Sequence, residues 1–324
     1  MHKLKISVIG LRGHAQRHIQ SLLQRTDIEL INVLYDRAHA ETYADLPLTN
    51  TISDCLGSDA IIISSPTHTH YSYMQLLRDF SGYILLEKPA VNTPKHIESL
   101  IQFPECIKTR TRINFNFVFH GITAILEDLV RNEILGKIFA LDVHTAHGVA
   151  FKPEWQGSWR IKSESGLGPI ETTGIHFLHL AERLFGNTTH AYVDLLSLSN
   201  SSEYCDTGTL HLSMESNVKV RLRHSYAAPY RVHIEAHGTD GYFIYDGEKA
   251  YVYGPRDTFD NQGLYTNPPA IKTWVINYPS EWDLSLVRSQ SAFLEDVRDQ
   301  KRFDSHQFDH DVKVMNTMID AIRL

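Results

Sequence analysis

Lys5-Ile6-Ser7-Val8-Ile9-Gly10-Leu11-Arg12-Gly13-His14-Ala15-Gln16-Arg17-His18 sets how the chain begins to fold. Residues 5–10 form a short apolar run that ends in glycine, the pattern of a strand covered on both faces. From residue 14 to 24 the spacing of Ile19, Leu22 and Leu23 is helical. A glycine turn joins the two. The same alternation continues downstream. Residues 30–36 read as a second strand ending in an acid, and 60–64 as an aliphatic strand. Residues 71–80 read as a helix and 83–86 as a strand. Residues 94–102 form a helix with proline in its first turn, and 113–119 a further strand. Strands and helices in this rhythm predict a parallel sheet.

The pattern changes near residue 120. A helix over 121–132 is followed by longer strands at 139–149, 189–197, 207–215, 218–226, 231–237 and 242–245, with turn signals at Gly238-Thr239-Asp240-Gly241 and Asp246-Gly247. Helices interrupt or close this series at 174–185, 285–300 and 310–324. The fold class is therefore α/β: an N-terminal Rossmann domain, a doubly wound parallel sheet over residues 1–120, and a C-terminal α+β domain with a largely antiparallel sheet over 121–324.

Bulk properties narrow the function. The chain has 324 residues, a hydrophobic fraction of 42% and a charged fraction of 21%, ordinary for a globular protein. A net charge of −7 argues against nucleic acid, whose phosphates require a basic face. The three cysteines, Cys55, Cys106 and Cys205, form no CxxC pair and read as reduced thiols of a cytoplasmic protein. No run suits a signal peptide or a membrane span. Nineteen histidines invite a metal hypothesis. The pairs His68/His70, His144/His147, His176/His179 and His233/His237 lack the acid or cysteine spacing of a zinc motif, and no metal is expected.

The opening turn fits an anion site. In the G-x-G-x-x-G/A pattern of dinucleotide-binding turns, Gly10 takes the first place and Ala15 the third. Arg12 stands in the second, where glycine normally lets a pyrophosphate approach. Gly13 adjoins it, and the Arg12 guanidinium suits phosphate itself. Leu11 completes the turn. Asp36, at the end of the second strand, suits the ribose hydroxyls of NAD. Arg37 follows and suits a 2′-phosphate, so NAD and NADP both stay open.

With these features the chain resembles the glucose–fructose oxidoreductase / inositol dehydrogenase (Gfo/Idh/MocA) family. Ser65-Pro66-Thr67-His68-Thr69-His70 is similar to that family's T-P-N-x-x-H segment, with His70 in the histidine place. Glu87-Lys88-Pro89 is its E-K-P signature. Gly166-Leu167-Gly168-Pro169-Ile170 with Gly174-Ile175-His176 is similar to its G-G-x-x-x-D-x-G-x-H segment, and Gly238-Thr239-Asp240-Gly241 to its G-T-x-G turn. The resemblance implies an NAD(P)-dependent oxidoreductase acting on a hydroxyl of a sugar, amino sugar or sugar nucleotide bound between the domains. It implies Lys88 and His176 as catalytic residues. Ser65, Pro66, His70, Glu87, Lys88 and Asn116 are implied at the cofactor. Trp159, Arg160, Thr172 and His179 join Lys88 and His176 at the substrate, with Trp155 nearby. It also implies a homo-oligomer, dimer or tetramer, formed on the open face of the second sheet.

Two positions depart from the family pattern. Thr172 stands where the family's sugar dehydrogenases carry aspartate, and His179 where they carry a second acid. Threonine hydrogen-bonds a substrate but cannot offset an imidazolium charge. Glu171 adjoins it, and on a helix would face about 100° away. The alternative is therefore a dinucleotide- or sugar-binding protein without normal dehydrogenase turnover. A reductase of unsaturated or imine bonds, which needs no carboxylate, is a third reading.

Overall fold

The computed structural model describes residues 3–35, 45–153, 167–199, 205–254 and 259–322. The chain divides into two compact units, Met1–Asn116 with Leu286–Met315, and Phe117–Ser285 with Asn316–Leu324.

In the first unit the elements run β1 (Leu4–Ile9), α1 (His14–Leu23), β2 (Ile28–Leu34), β3 (Leu48–Thr49), α2 (Ile52–Cys55), β4 (Ala60–Ile63), α3 (Thr67–Leu76), β5 (Tyr83–Glu87), α4 (Pro94–Ile101), α5 (Glu105–Lys108) and β6 (Thr111–Asn114). The strands form one sheet in the order β3-β2-β1-β4-β5-β6, with every pair parallel. Ile6, Val8, Ile61, Ile62, Ile63, Ile84, Leu85 and Leu86 are fully buried. Burial on both faces is why these strands read as unbroken apolar runs. The strand order reverses between β1 and β4, and open sheets of this kind bind ligands beyond the carboxyl ends of the strands at that point. Gly10, Ser64-Ser65-Pro66 and Glu87-Lys88 follow β1, β4 and β5 there.

In the second unit α6 (Gly121–Arg131) precedes β7 (Ile138–Ala146). Then come α7 (Ile175–Phe185), β8 (Thr188–Leu196), β9 (Thr207–Met214), β10 (Lys219–Ser225), β11 (Arg231–Gly238), β12 (Tyr242–Tyr245), β13 (Lys249–Tyr253) and β14 (Ala270–Val275). The sheet order is β14-β13-β12-β11-β7-β10-β9-β8. Only β7 and β10 pair in parallel among the described strands; the others are antiparallel. Leu210, Leu212, Val220, Leu222, Ile234 and Ala236 are buried, while Arg221, Arg223, His233 and Glu235 alternate with them toward solvent, the period of two expected of a sheet with one wet face. The Gly238 amide donates to the Gly241 carbonyl at 2.9 Å, closing the β11–β12 turn. In the next turn Asp246 Oδ1 accepts the amides of Glu248 and Lys249 at 2.9 and 2.7 Å.

The chain closes with α8 (Tyr278–Arg298) and α9 (Ser305–Asp320). Here the structure departs from the sequence reading, which gave everything after residue 120 to the second domain. Leu286–Met315 belongs to the first unit. Phe293, Leu294 and Val297 share one core with Ile6, Val8, Ile62 and Leu85. Arg298 reaches Asp27 at 2.7 Å, and Asp309 takes Lys108 at the same distance.

Other departures have local causes. Helix α3 starts at Thr67 rather than 71, directly behind Pro66, whose φ of −59° suits a helix entrance. The expected strand over 113–119 stops at Asn114, and Asn116–Phe119 is a 3₁₀ turn. The alternating Phe115, Phe117 and Phe119 imitate a strand, but Phe117 packs on Phe177 with ring centroids 4.7 Å apart. The helix expected from 174 is preceded by a π-helical turn, Ile170–Gly174, and becomes α-helical at Ile175. β3, α2 and α5 are too short to show a period. β14 is nearly all exposed and carries no alternation to read. No described helix is long and apolar enough to cross a membrane.

Candidate functional site

The β1–α1 turn is shaped for an anion. Gly10 has φ +118°, and a Cβ there would lie 2.6 Å from the Ser64 carbonyl oxygen. The turn thus presses against the end of β4, and only glycine fits. Gly13 has φ +62°, and a Cβ on it would meet nothing within 4 Å, so the space before α1 is open. No described side chain caps α1 and its first turn holds no acid. Its leading amides and the positive end of its dipole suit a phosphate. Arg12 is exposed beside them. The side chains of Leu11 and Ala15 are core, so only their backbone serves the turn. These features fit the pyrophosphate of a dinucleotide. Gly10→Ala should destabilise the protein by about 1–3 kcal/mol and abolish dinucleotide binding. Gly13→Ala meets no clash but puts a Cβ at φ +62°, ψ −121°, outside the left-handed helical well, and should cost about 1–2 kcal/mol through backbone strain alone. Thermal melts of the two variants check this ordering.

At the end of β5, Glu87 is only 5% exposed. Asn114 Nδ2 donates to its Oε1 at 2.6 Å, His18 Nε2 lies 2.9 Å from the same oxygen, and His14 Nδ1 lies 3.9 Å from Oε2. Burial pushes the Glu87 carboxyl up, but His14 and His18 outweigh it and hold the carboxyl well below its usual range. Ser289 donates to Asn114 Oδ1 at 2.6 Å, and Gln290 Nε2 lies 3.0 Å from His18 Nδ1. Glu87 is therefore a buried anion anchoring the residue before Lys88, which is partly exposed and joined to Pro89 by a cis bond. Its carboxylate is enclosed by Asn114 and His18 in this structure.

His70, expected at the cofactor, is buried instead. Its Nε2 lies 2.8 Å from the Ser65 carbonyl, and its Nδ1 lies 2.9 and 3.2 Å from those of Pro89 and Ala90. Burial pushes the imidazole down. The ring ties the Ser65-Pro66 turn to the segment behind Lys88 and has no free edge for a ligand. Ser65 and Thr69 share a hydroxyl bond of 2.7 Å, and Thr69 donates to the Pro66 carbonyl. Asn116 is fully buried. Asp36, Arg37, Trp155, Trp159, Arg160 and Gly166 lie outside the described residues.

In the second unit His176 is the second residue of α7 and 1% exposed. Its ring meets the Trp282 indole edge-on, with centroids 4.9 Å apart, and Phe117 lies at 6.3 Å. Thr172 sits in the π-helical turn, where its hydroxyl bonds the Tyr226 hydroxyl and donates to the Gly168 carbonyl at 3.3 Å. The Tyr226 ring lies tilted against that of His147, with centroids 4.6 Å apart. Glu171 and His179 are buried. His224 lies beneath the π turn. Its Nδ1 is 2.6 Å from Thr145 Oγ1, and a Cβ on Gly174 would come within 2.9 Å of its ring. Burial, and then the charge of His144, push the His224 imidazole down to about 3.

The remaining histidine pairs have other company. His233 and His237 both face Glu235, at 3.3 and 2.9 Å. His144 is pushed down by burial and by Arg223, Arg231 and His233. The sequence reading missed Tyr226, Trp282, Ser289 and Gln290, which carry no motif. It also missed His14 and His18, although their spacing of four on α1 places them on one helix face.

Comparison with known proteins matches both halves. Residues 4–114 match an oxidoreductase family with an NAD-binding Rossmann fold, and residues 124–244 match the GFO/IDH/MocA C-terminal domain. Together they cover more than two thirds of the chain. Glucose-6-phosphate 3-dehydrogenase of Bacillus subtilis (strain 168) is 25% identical over 189 residues, 56% of this chain and 53% of that protein. D-glucoside 3-dehydrogenase of Escherichia coli (strain K12) is 25% identical over 192 residues, 56% of this chain and 54% of that protein. The chain thus spans about half the length of the curated relatives it matches. The crystal structure of myo-inositol 2-dehydrogenase from Lactobacillus plantarum shares the fold, with a TM-score of 0.79 at 16% identity, covering 99% of this chain and 97% of that one. The glycine turn and Glu87-Lys88-Pro89 fall in the first matched stretch and His176 in the second, and the chain belongs to the GFO/IDH/MocA family of oxidoreductases.

Proposed function

We propose that the chain is an NAD(P)-dependent oxidoreductase that transfers a hydride between nicotinamide and a hydroxyl-bearing or carbonyl carbon of a sugar, amino sugar or sugar nucleotide. The observation that carries this reading is the pairing, on one parallel sheet, of an open anion turn at Gly10–Gly13 with Lys88 anchored by buried Glu87. The bound dinucleotide supplies the hydride acceptor. Lys88 donates to the substrate oxygen and stabilises it as an alkoxide forms. His176 takes the hydroxyl proton. Thr172, His179, Trp159 and Arg160 orient the substrate. Asp36 holds the ribose, and Arg37 decides whether a 2′-phosphate is accepted. Sugars resembling those in the relatives' names, glucose phosphates, glucosides and inositols, are the substrates of first choice.

We also place the protein in the cytoplasm as a homodimer or tetramer built on the open face of the second sheet. Its three cysteines, which form no CxxC pair, and the charged rows on that face support this.

One observation favours a second reading, a binding protein without turnover. Thr172 brings no charge to the site, and its hydroxyl is already engaged by Tyr226. Calorimetry with NAD⁺ and NADP⁺, followed by absorbance of reduced cofactor across a panel of those sugars, separates the two. Binding with turnover is expected. Binding with no turnover on any sugar supports the second reading, and no binding overturns both.

A further inference from the structure

Lys88 is the only residue from Tyr83 to Asn92 that is not buried. Its neighbours are held on both sides, so that it alone faces outward. After it, the carbonyls of Pro89 and Ala90 meet one nitrogen of the His70 ring, and the other nitrogen meets the Ser65 carbonyl. Before it, the hold is Glu87, and this hold runs back to α8.

The hold on Glu87 has a fixed direction. The carboxyl is kept well below its usual range, and a carboxylate only accepts hydrogen bonds. Asn114 therefore turns its amide nitrogen to Glu87 Oε1, at 2.6 Å. That leaves its amide oxygen on the other side, and this oxygen can only accept. Ser289 Oγ donates to it at 2.6 Å. The three side chains belong to residues at most 5% exposed, so bulk water does not stand in for a lost partner. The next residue of α8 backs the other group on the same carboxylate oxygen. Gln290 Nε2 lies 3.0 Å from His18 Nδ1, and His18 Nε2 lies 2.9 Å from Glu87 Oε1. All of these residues belong to the first unit. A buried polar chain adds little net stability over apolar side chains of the same shape. What it adds is orientation, passed from α8 to the residue before Lys88.

We propose that Ser289 is a positioning residue for Lys88: acting through Asn114 and Glu87, it fixes where the Lys88 side chain stands. Its weight in turnover rests on the reading of Lys88 as the donor to the substrate oxygen. Without the hydroxyl, Asn114 Oδ1 loses its donor and the amide is released to turn. Glu87 Oε1 then loses a bond, and the loosened segment passes directly into Lys88.

The full chain is acetylated with acetic anhydride, and the rate at each lysine is read by peptide mass spectrometry. In Ser289→Ala the rate at Lys88 should rise about fivefold, the weight of one hydrogen bond. Two lysines of the same unit should keep their wild-type rates: exposed Lys95, and Lys108, buried and paired with Asp309 at 2.7 Å. Ser289→Thr keeps the hydroxyl and should restore the wild-type rate at Lys88. Ser289→Cys, close in size with a weak donor, should lie between. An unchanged Lys88 rate in the alanine and cysteine variants overturns the proposal. So does a rise shared by Lys108, which marks general loosening, or a rise that threonine does not reverse. Steady-state turnover of glucose 6-phosphate, methyl glucoside and myo-inositol with NAD⁺ and NADP⁺ tests the underlying reading. In Ser289→Ala, kcat should fall about fivefold with KM unchanged. An unchanged kcat beside faster labelling rejects Lys88 as the donor and leaves its positioning by Ser289 standing. A wild type that oxidises none of these sugars rejects hydride transfer on them, and the labelling alone then decides the proposal.

Discussion

His176→Ala should keep the wild-type affinity for dinucleotide and lose about a thousandfold in kcat/KM on whichever sugar the wild type oxidises, within the range of one general base. The reason is where the base acts. Its proton transfer contributes only as the hydroxyl ionises, so kcat and kcat/KM should fall together while KM changes little. The ring is buried against Trp282 and Phe117. His176 belongs to the second unit and the glycine turn to the first, which is why cofactor binding should survive. Stopped-flow or steady-state kinetics with a parallel calorimetric Kd measures both. If His176→Ala turns over at near the wild-type rate, His176 is not the base. If it loses dinucleotide affinity as well, the loss of activity reflects disruption rather than chemistry.

The second large effect concerns acid stability. His224 is fully buried, its ring lies 5.6 Å from that of Phe177, and its proton affinity is pushed down to about 3. The unfolded chain restores an ordinary imidazole near 6.5. Between these values the unfolded state binds a proton that the folded state refuses. Stability therefore falls as pH falls through that window, by about 1.4 kcal/mol per pH unit, or about 3 kcal/mol between pH 6.5 and 4. Glu87 and Asp27 act in the same sense at lower pH: each is held below its ordinary range in the fold and contributes stability that is lost as pH falls through the carboxylate range. His224→Phe should remove the histidine's part alone. Urea midpoints of wild type and variant at pH 7 and 4 make the comparison. The variant should lose less stability on acidification by about 3 kcal/mol. Loss of the Thr145 hydrogen bond shifts both of its midpoints equally. Parallel behaviour of the two proteins rejects the assignment.

The parallel sheet was legible because strands buried on both faces must be continuously apolar, as Ile61-Ile62-Ile63 and Ile84-Leu85-Leu86 are. The second sheet was legible by the opposite sign, alternation with one wet face. What stayed hidden was contact between distant stretches. Nothing in the spelling of α8 says that Phe293 joins the core of Ile6, or that Gln290 Nε2 comes to lie 3.0 Å from His18 Nδ1. Likewise Lys88 and Glu87 were found as a motif, but the carboxylate's role as a buried anchor followed only from Asn114 and His18 beside it. Thr172 was singled out for what it lacks, and the Tyr226 hydroxyl on it has no sequence signal at all.

That α8 supplies Phe293, Leu294 and Val297 to the core built on β1 and β4 bears on how the chain is made. Synthesis runs from the amino end, and domains generally fold as they emerge. Here the sheet that emerges first has an unfinished hydrophobic layer until nearly the whole chain has left the ribosome. The second unit's strands, Ile138 to Val275, are all synthesised in the interval. The first unit to be started is thus sealed only after the second unit's sheet has been made.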